Sequence, residues 1–321
     1  MPRTASFAAV CAAAALLAGL TACSSAASKS GDAAAAKAVD DSLKGASFTV
    51  SSKDFTESIL LGKITELVLS SHGAKVTDKT NIKGSVNTRE ALTSGQVDMY
   101  WEYTGTGWIT YLKHTKPLAS PQAQFDAVKS EDAKNGIAWL PMAPMNDTYA
   151  FAMRSDTATK LNVHTLSDLA TVAREHPKDA TFCIESEFST RDDGFPGMTK
   201  AYGIDVPKSN VKMLDTGVIY NTTAKGGTCS FGEVFATDGR IAALKLTVLA
   251  DDKHFFPNYN AALTLKSSLL KKYPKIADYI APVAAKLDNA TMTALNAQVD
   301  AQGDDPGDVA KQWLTKQGLI K

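Results

Sequence analysis

The sequence predicts an α/β protein of two lobes joined by two crossing segments, with a ligand cleft between the lobes. Three observations carry that reading. Strand-like and helix-like apolar spacing alternate twice along the chain, giving two successive sets of strands and helices. Pro141 and Pro144 mark a change of direction between the sets. The end of the chain is helical in pattern with no strands of its own, so its helices need a sheet laid down earlier.

The first set opens with a strand at Phe48–Val50. Ile59, Leu60, Ile64, Leu67 and Val68 then recur at helical spacing within Thr56–Ser71, and Gly73 stops that helix. Lys75–Thr80 alternates as a strand, Ser85–Ser94 is a short helix ending at Gly95, and Val97–Tyr103 is a third strand. This rhythm is that of a parallel sheet covered by helices. A helix at Pro121–Asn135 and a strand at Ile137–Leu140 follow.

The second set begins with an extended stretch at Asn146–Met153 and a helix at Ser167–Glu175. It continues with a strand at Ala180–Ile184, a helix at Gly194–Tyr202, and strands at Val211–Leu214, Glu233–Ala236 and Leu246–Leu249. Helices at Pro274–Leu287, Ala290–Val299 and Asp308–Gln317 close the chain. The simplest arrangement returns these helices to the first lobe, with crossings near 144–150 and 244–252. The expected organisation is therefore lobe 1 at 46–145, lobe 2 at 146–249, and a return to lobe 1 at 250–321. Two independent domains in series are the rival arrangement. A ligand would lie between the lobes, beyond the C-terminal ends of the strands.

The N-terminus reads as an export signal over residues 1–22: Arg3, then an apolar run from Phe7 to Leu20 too short to span a bilayer. Leu20-Thr21-Ala22-Cys23 resembles the bacterial lipobox, in which the cysteine becomes the first residue and carries lipid. Cys23 is then the expected lipid anchor, holding the protein at the membrane surface outside the cytoplasm. An ordinary secretory signal with an incidental cysteine is the plainer alternative. Residues 23–45, rich in Ala, Ser, Gly, Lys and Asp, read as a flexible tether.

Net formal charge is zero, with 34 basic and 34 acidic residues, and no basic stripe appears. A nucleic-acid partner is not expected, and a monomer is. Once Cys11 leaves with the signal and Cys23 is assigned to the anchor, Cys183 and Cys229 remain. In an exported protein they form a disulfide or stay as two buried thiols. His72, His114, His164, His176 and His254 are scattered, mostly surface residues, and no metal site or cofactor is expected. Motifs for a serine nucleophile, a phosphate loop or a dinucleotide fold are missing, so no catalytic residue is assigned.

One stretch stands out. DMYWEYTGTGW (98–108) places Tyr100, Trp101, Tyr103 and Trp108 beside a glycine turn and an acid, Glu102. It is either a well-packed strand end or an aromatic wall. SKDFTES (52–58), REALTSGQVDMYWEYTGTGW (89–108), NDTYAFAM, SEFSTRDDG (186–194), FATDGRI (235–241) and FFPNYNAA (255–262) follow in order. Together they resemble the substrate-binding lipoproteins of ABC importers for glycine betaine, choline and related osmoprotectants, over essentially the whole folded part.

The resemblance implies a type II periplasmic-binding-protein fold that closes over its ligand and presents it to a membrane permease driven by an ATPase subunit. It implies a cage of rings around a quaternary ammonium, formed by Tyr103, Tyr149, Phe235 and Tyr259. Asp147 falls where the family offers a backbone carbonyl to the methyls, and Lys53, Thr106 and Arg191 where polar groups hold the ligand's other end. A methylated ammonium donates no hydrogen bond, so ring faces of negative potential suit it. Tyr100 and Trp108 read as packing, and Trp101 as support behind Tyr103. Lys53 could equally be a solvated charge, and Arg191 could pair with Asp192 or Asp193.

Two departures bear on the ligand. Ser58 stands where many relatives have glutamine, and Phe235 where many have tyrosine. Glycine betaine ranks first as ligand because Lys53 and Arg191 are retained, with choline and carnitine next. A polar amino acid or another small cation is the alternative, and an exported hydrolase ranks below both.

Overall fold

The computed structural model describes residues 40–321. The expected signal at 1–22, Cys23, and the tether as far as residue 39 lie outside the described residues. The packed chain starts a little before the expected boundary. Leu43 is buried in the first core and its amide donates to the His72 carbonyl at 2.9 Å. His72 differs from the surface reading too: it is buried and stacked on Tyr279 at 3.5 Å.

Ten strands run along the described chain: β1 Ser47–Lys53, β2 Lys75–Ile82, β3 Met99–Tyr103, β4 Ile137–Trp139, β5 Tyr149–Arg154, β6 Phe182–Ile184, β7 Val211–Met213, β8 Phe231–Phe235, β9 Leu246–Val248 and β10 Ala261–Lys266. They form two five-stranded sheets, ordered β2-β1-β3-β10-β4 and β7-β6-β8-β5-β9. Helices cover the sheets, so the fold is α/β and two-lobed. Pairing is parallel between β1 and β2 and between β1 and β3, as the strand–helix rhythm predicts. Both sheets are nonetheless mixed, because β10 and β5 run antiparallel to their neighbours.

β10 was not evident in the sequence. Its six residues, AALTLK, are short and Ala-containing, with no turn signature after them. Yet it is an interior strand of the first sheet, between β3 and β4, pairing Leu263 with Trp101 and Thr264 with Trp139. It arrives from the other lobe rather than through a crossover helix, so nothing forces it parallel. β9 still belongs to the second sheet, pairing Val248 with Ala152, and the return crossing therefore runs through 250–260.

The closing helices pack as their apolar faces demand. Ile276 and Ile280 of Lys275–Ala284 and Leu314 of Pro306–Lys316 share one core with Leu60 and Ile64 of Thr56–Ser71. The second lobe has its own core, dominated by Phe151, Phe182, Phe188 and Phe231. Helix Thr216–Lys225, rich in threonine and β-branched residues of modest helix propensity, was not evident in the sequence. Burial of Ile219, Tyr220 and Thr223 decides it. Cys183 and Cys229 are joined as a disulfide, with Cα atoms 5.6 Å apart, linking β6 to the approach to β8.

Candidate functional site

All five residues of β3, MYWEY, are buried, and their side chains alternate between two faces. Trp101 and Tyr103 share one. The Trp101 indole N–H donates to Thr65 at 2.8 Å, and the Tyr103 hydroxyl donates to Glu57 Oε1 at 2.9 Å. Tyr100 and Glu102 share the other. Glu102 accepts from Lys53 Nζ at 2.6 Å and from the Tyr103 amide and the Tyr100 and Tyr111 hydroxyls, each at 2.7 Å. Lys53 is thus a buried ion-pair member and not a solvated charge, and its ammonium stands 5.1 Å from the centre of the Tyr103 ring.

The Thr-Gly-Thr turn after β3 lets another ring come close. A Cβ on Gly105 would lie 2.5 Å from Tyr259 Cε1. Glycine is needed there for the approach of Tyr259, which enters on the return crossing.

A cavity of about 610 Å³, counting its open mouth, lies between the lobes. Lys53, Tyr103, Thr106, Asp147, Tyr149, Phe235 and Tyr259 all line it. So does Phe55, which the sequence reading quoted within SKDFTES but did not assign. Phe55 closes the arc of rings: its centroid is 5.7 Å from Tyr103 and 5.0 Å from Phe235. Phe235 is 5.4 Å from Tyr149, and Tyr149 meets Tyr259 edge-on at 5.1 Å. Ser58 is not part of the lining; its buried hydroxyl accepts the Lys53 amide at 2.9 Å.

Arg191 stands apart from the other candidates. It is buried behind the wall and does not line the cavity. Its fork goes to Asp193, at 2.7 and 2.6 Å, and its third nitrogen to Glu187 at 2.8 Å. Asp193 in turn accepts the Tyr259 hydroxyl at 2.7 Å, and the guanidinium lies 5.5 Å from the Tyr149 ring. With two acids holding its fork, the guanidinium braces the wall behind two rings. Asp192 takes no part in it.

Acids are the residues the sequence reading missed most. Asp54, Glu185, Glu187 and Glu233 line the cavity with Asp147. No spacing motif marks them, since they come from separate turns and strands. Burial pushes the Glu233 carboxyl up to about 8. Burial works against ionisation of Glu187 too, but Arg191 and Lys53 hold it below the usual range.

A second acidic pair sits at one end. The Thr237 hydroxyl lies 2.5 Å from Glu57 Oε2 and 2.6 Å from Asp147 Oδ1. One hydroxyl has one proton to donate, so satisfying both contacts needs a proton on one of the carboxyls. Burial raises both carboxyls above their ordinary range, and the Glu57 charge adds to the rise at Asp147.

Several contacts cross between the lobes. The Ser85 amide donates to Glu187 at 2.8 Å, Lys83 pairs with Asp215 at 2.9 Å, and Asn296 donates to the Thr237 carbonyl at 3.0 Å. Two sheets closed on a ring-lined interlobe cavity define a solute-binding protein. A family model for the substrate-binding domain of ABC-type glycine betaine transport systems matches residues 46–316. The chain is 37% identical over 276 residues to the glycine-betaine-binding protein of Pseudomonas aeruginosa, covering 84% of this chain and 88% of that one. It is 35% identical over 281 residues to the glycine betaine-binding protein YehZ of Escherichia coli, covering 85% and 91%. A crystal structure described as a glycine betaine/carnitine/choline ABC transporter superposes with a TM-score of 0.69 at 28% identity, covering 85% of this chain and 99% of that one. The chain belongs to the family of substrate-binding domains of ABC-type glycine betaine transport systems: a solute-binding protein of ABC importers, not an enzyme, and extracytoplasmic. Among the described residues no helix is long and apolar enough to cross a membrane.

Proposed function

We propose that this protein captures a quaternary ammonium compatible solute in its ring-lined cavity and hands it to a membrane permease driven by an ATPase subunit. Glycine betaine is the first solute to test, with choline and carnitine next. Lipid on Cys23 would keep the receptor beside that permease.

The observation that carries the reading is the continuous arc Tyr103–Phe55–Phe235–Tyr149–Tyr259 around one cavity. The hydroxyls of Tyr103 and Tyr259 are spent on Glu57 and Asp193, behind the wall. Ring surface is therefore what these two residues leave for the cavity. A methylated ammonium spreads its charge over apolar methyls and is attracted to such surfaces, each worth roughly 0.5–2 kcal/mol. Several rings together supply much of the ~8 kcal/mol that micromolar binding needs. The names of the relatives point the same way.

Calorimetric titration with glycine betaine, choline, carnitine and proline betaine tests the class. Heat is expected with at least one, and Tyr103→Ala or Tyr149→Ala weakens binding at least tenfold. Silence with every quaternary ammonium at millimolar concentration would refute the ligand class, and a response only in an amino-acid panel would replace it. For the anchor, radioactive palmitate is expected to label wild type and not Cys23→Ala.

A further inference from the structure

We propose that Glu233 reads the end of the solute opposite its methylated nitrogen, and that its charge sets the preference: ionised, it favours quaternary ammonium compounds ending in a hydroxyl or N–H donor, and protonated, it accepts those ending in a carboxylate. The inference rests on the quaternary-ammonium reading above and adds the identity of the other pole.

Glu233 sits in β8 two residues before Phe235, so the two side chains share a face and both line the cavity. It is only 4% exposed. Oε2 accepts the Glu185 amide at 2.7 Å, and Oε1 takes no hydrogen bond from any described residue. An oxygen free of protein partners on the wall of a ligand cavity is available to the solute. When the carboxyl is ionised, a hydroxyl or N–H on the solute donates to it.

A carboxylate end meets the opposite situation. The two cations that would receive it are already engaged, Lys53 by Glu102 and Arg191 by Asp193 and Glu187. Asp54, Glu185, Glu187 and Glu233 stand in the same lining. Like charges around one cavity repel, the more so where water is scarce. A carboxylate is welcome only while Glu233 carries a proton that it can donate. Burial raises Glu233 to about 8, so it is largely protonated near neutrality and ionises on the alkaline side. The titratable and charged groups around it are Glu185 and Glu187 after β6, Arg191 beyond them, and Tyr149 on β5. Helix Thr216–Lys225, packed against β8, contributes Tyr220, which accepts the Phe235 amide.

The test is calorimetry of choline and glycine betaine binding to the full-length protein at pH 6.5 and pH 9, for wild type and Glu233→Gln. In wild type the ratio of choline affinity to betaine affinity is expected to rise at least tenfold between the two pH values. Glu233→Gln keeps an acceptor, gains a donor and loses the charge, so betaine should bind at least tenfold more tightly than to wild type at pH 9, with a flat ratio. A flat ratio in wild type overturns the assignment of Glu233, and so does a pH-dependent ratio that persists in the variant. The wild-type series decides alone if the variant does not fold. Absence of heat with both solutes overturns the underlying ligand class instead, which separates the two failures.

Discussion

Gly105 and Arg191 act on the cage without contributing a ring to it. A methyl at Gly105 would fall within 2.5 Å of the Tyr259 ring, so Gly105→Ala is expected to displace that ring. Solute binding should weaken by about tenfold or more, the equivalent of ~1.4 kcal/mol, while the far-ultraviolet spectrum stays unchanged. Arg191 braces Tyr259 through Asp193 and lies against Tyr149. Its loss should therefore weaken betaine and choline by similar factors, and a loss confined to betaine would indicate direct contact with the carboxylate. Arg191→Ala also strands Asp193 and Glu187, and breaking a buried pair in this way costs about 3–5 kcal/mol, measurable as a lower urea midpoint. At this scale the sequence was legible for residues inside distinctive motifs, such as Tyr103, Tyr149 and Tyr259. It was silent for Glu233 and Glu185, whose role depends on neighbours far along the chain. Phe55 was readable in principle, since an aromatic precedes the helix start within a motif already singled out.

Two elements have measurable consequences of their own. The Cys183–Cys229 bridge closes a span of 46 residues, and loop closure of that length restricts the unfolded chain by about 4 kcal/mol. Cys229→Ser, or reduction of the wild type, should lower the unfolding midpoint accordingly. At the start of helix Thr56–Ser71, Glu57 shares Thr237 with Asp147, and both carboxyls are raised by burial. A carboxyl raised in the folded state contributes fully below its unfolded value, near 4. That contribution declines as pH rises and is gone above the raised folded value. Wild type should therefore lose melting temperature with rising pH more steeply than Glu57→Gln, which needs no proton to donate. Equal slopes would remove Glu57 from the account. Long amphipathic helices such as Thr56–Ser71 were evident from spacing. The helix at Thr216–Lys225 and the strand β10 were not, because their propensities are weak and tertiary burial decides them.

For the molecule as a whole, the α/β class and the two-lobed architecture were legible because orphan helices at the end of the chain demanded a sheet. The manner of the return was not, since nothing local says that AALTLK belongs inside the first sheet, between β3 and β4. Closure is held by polar contacts, among them Ser85 with Glu187 and Lys83 with Asp215, together with ring contacts such as Phe55 with Phe235. Solute therefore stabilises the closed form chiefly by mass action: at a hundredfold excess over Kd the gain is about 2.7 kcal/mol.

The interior position of β10 also bears on how the chain reaches this state. When residues 40–249 have emerged, β3 and β4 still lack the neighbour that joins them, while every strand of the second sheet is already present. The second lobe can mature as a unit, but the first must wait for a segment more than 150 residues downstream of β3. Such distant pairings are slow to form and leave open sheet edges in the meantime. Chaperone protection during export would matter most for the N-terminal half, and a chain cut short before Ala261 would be left with an unfinished first sheet prone to self-association.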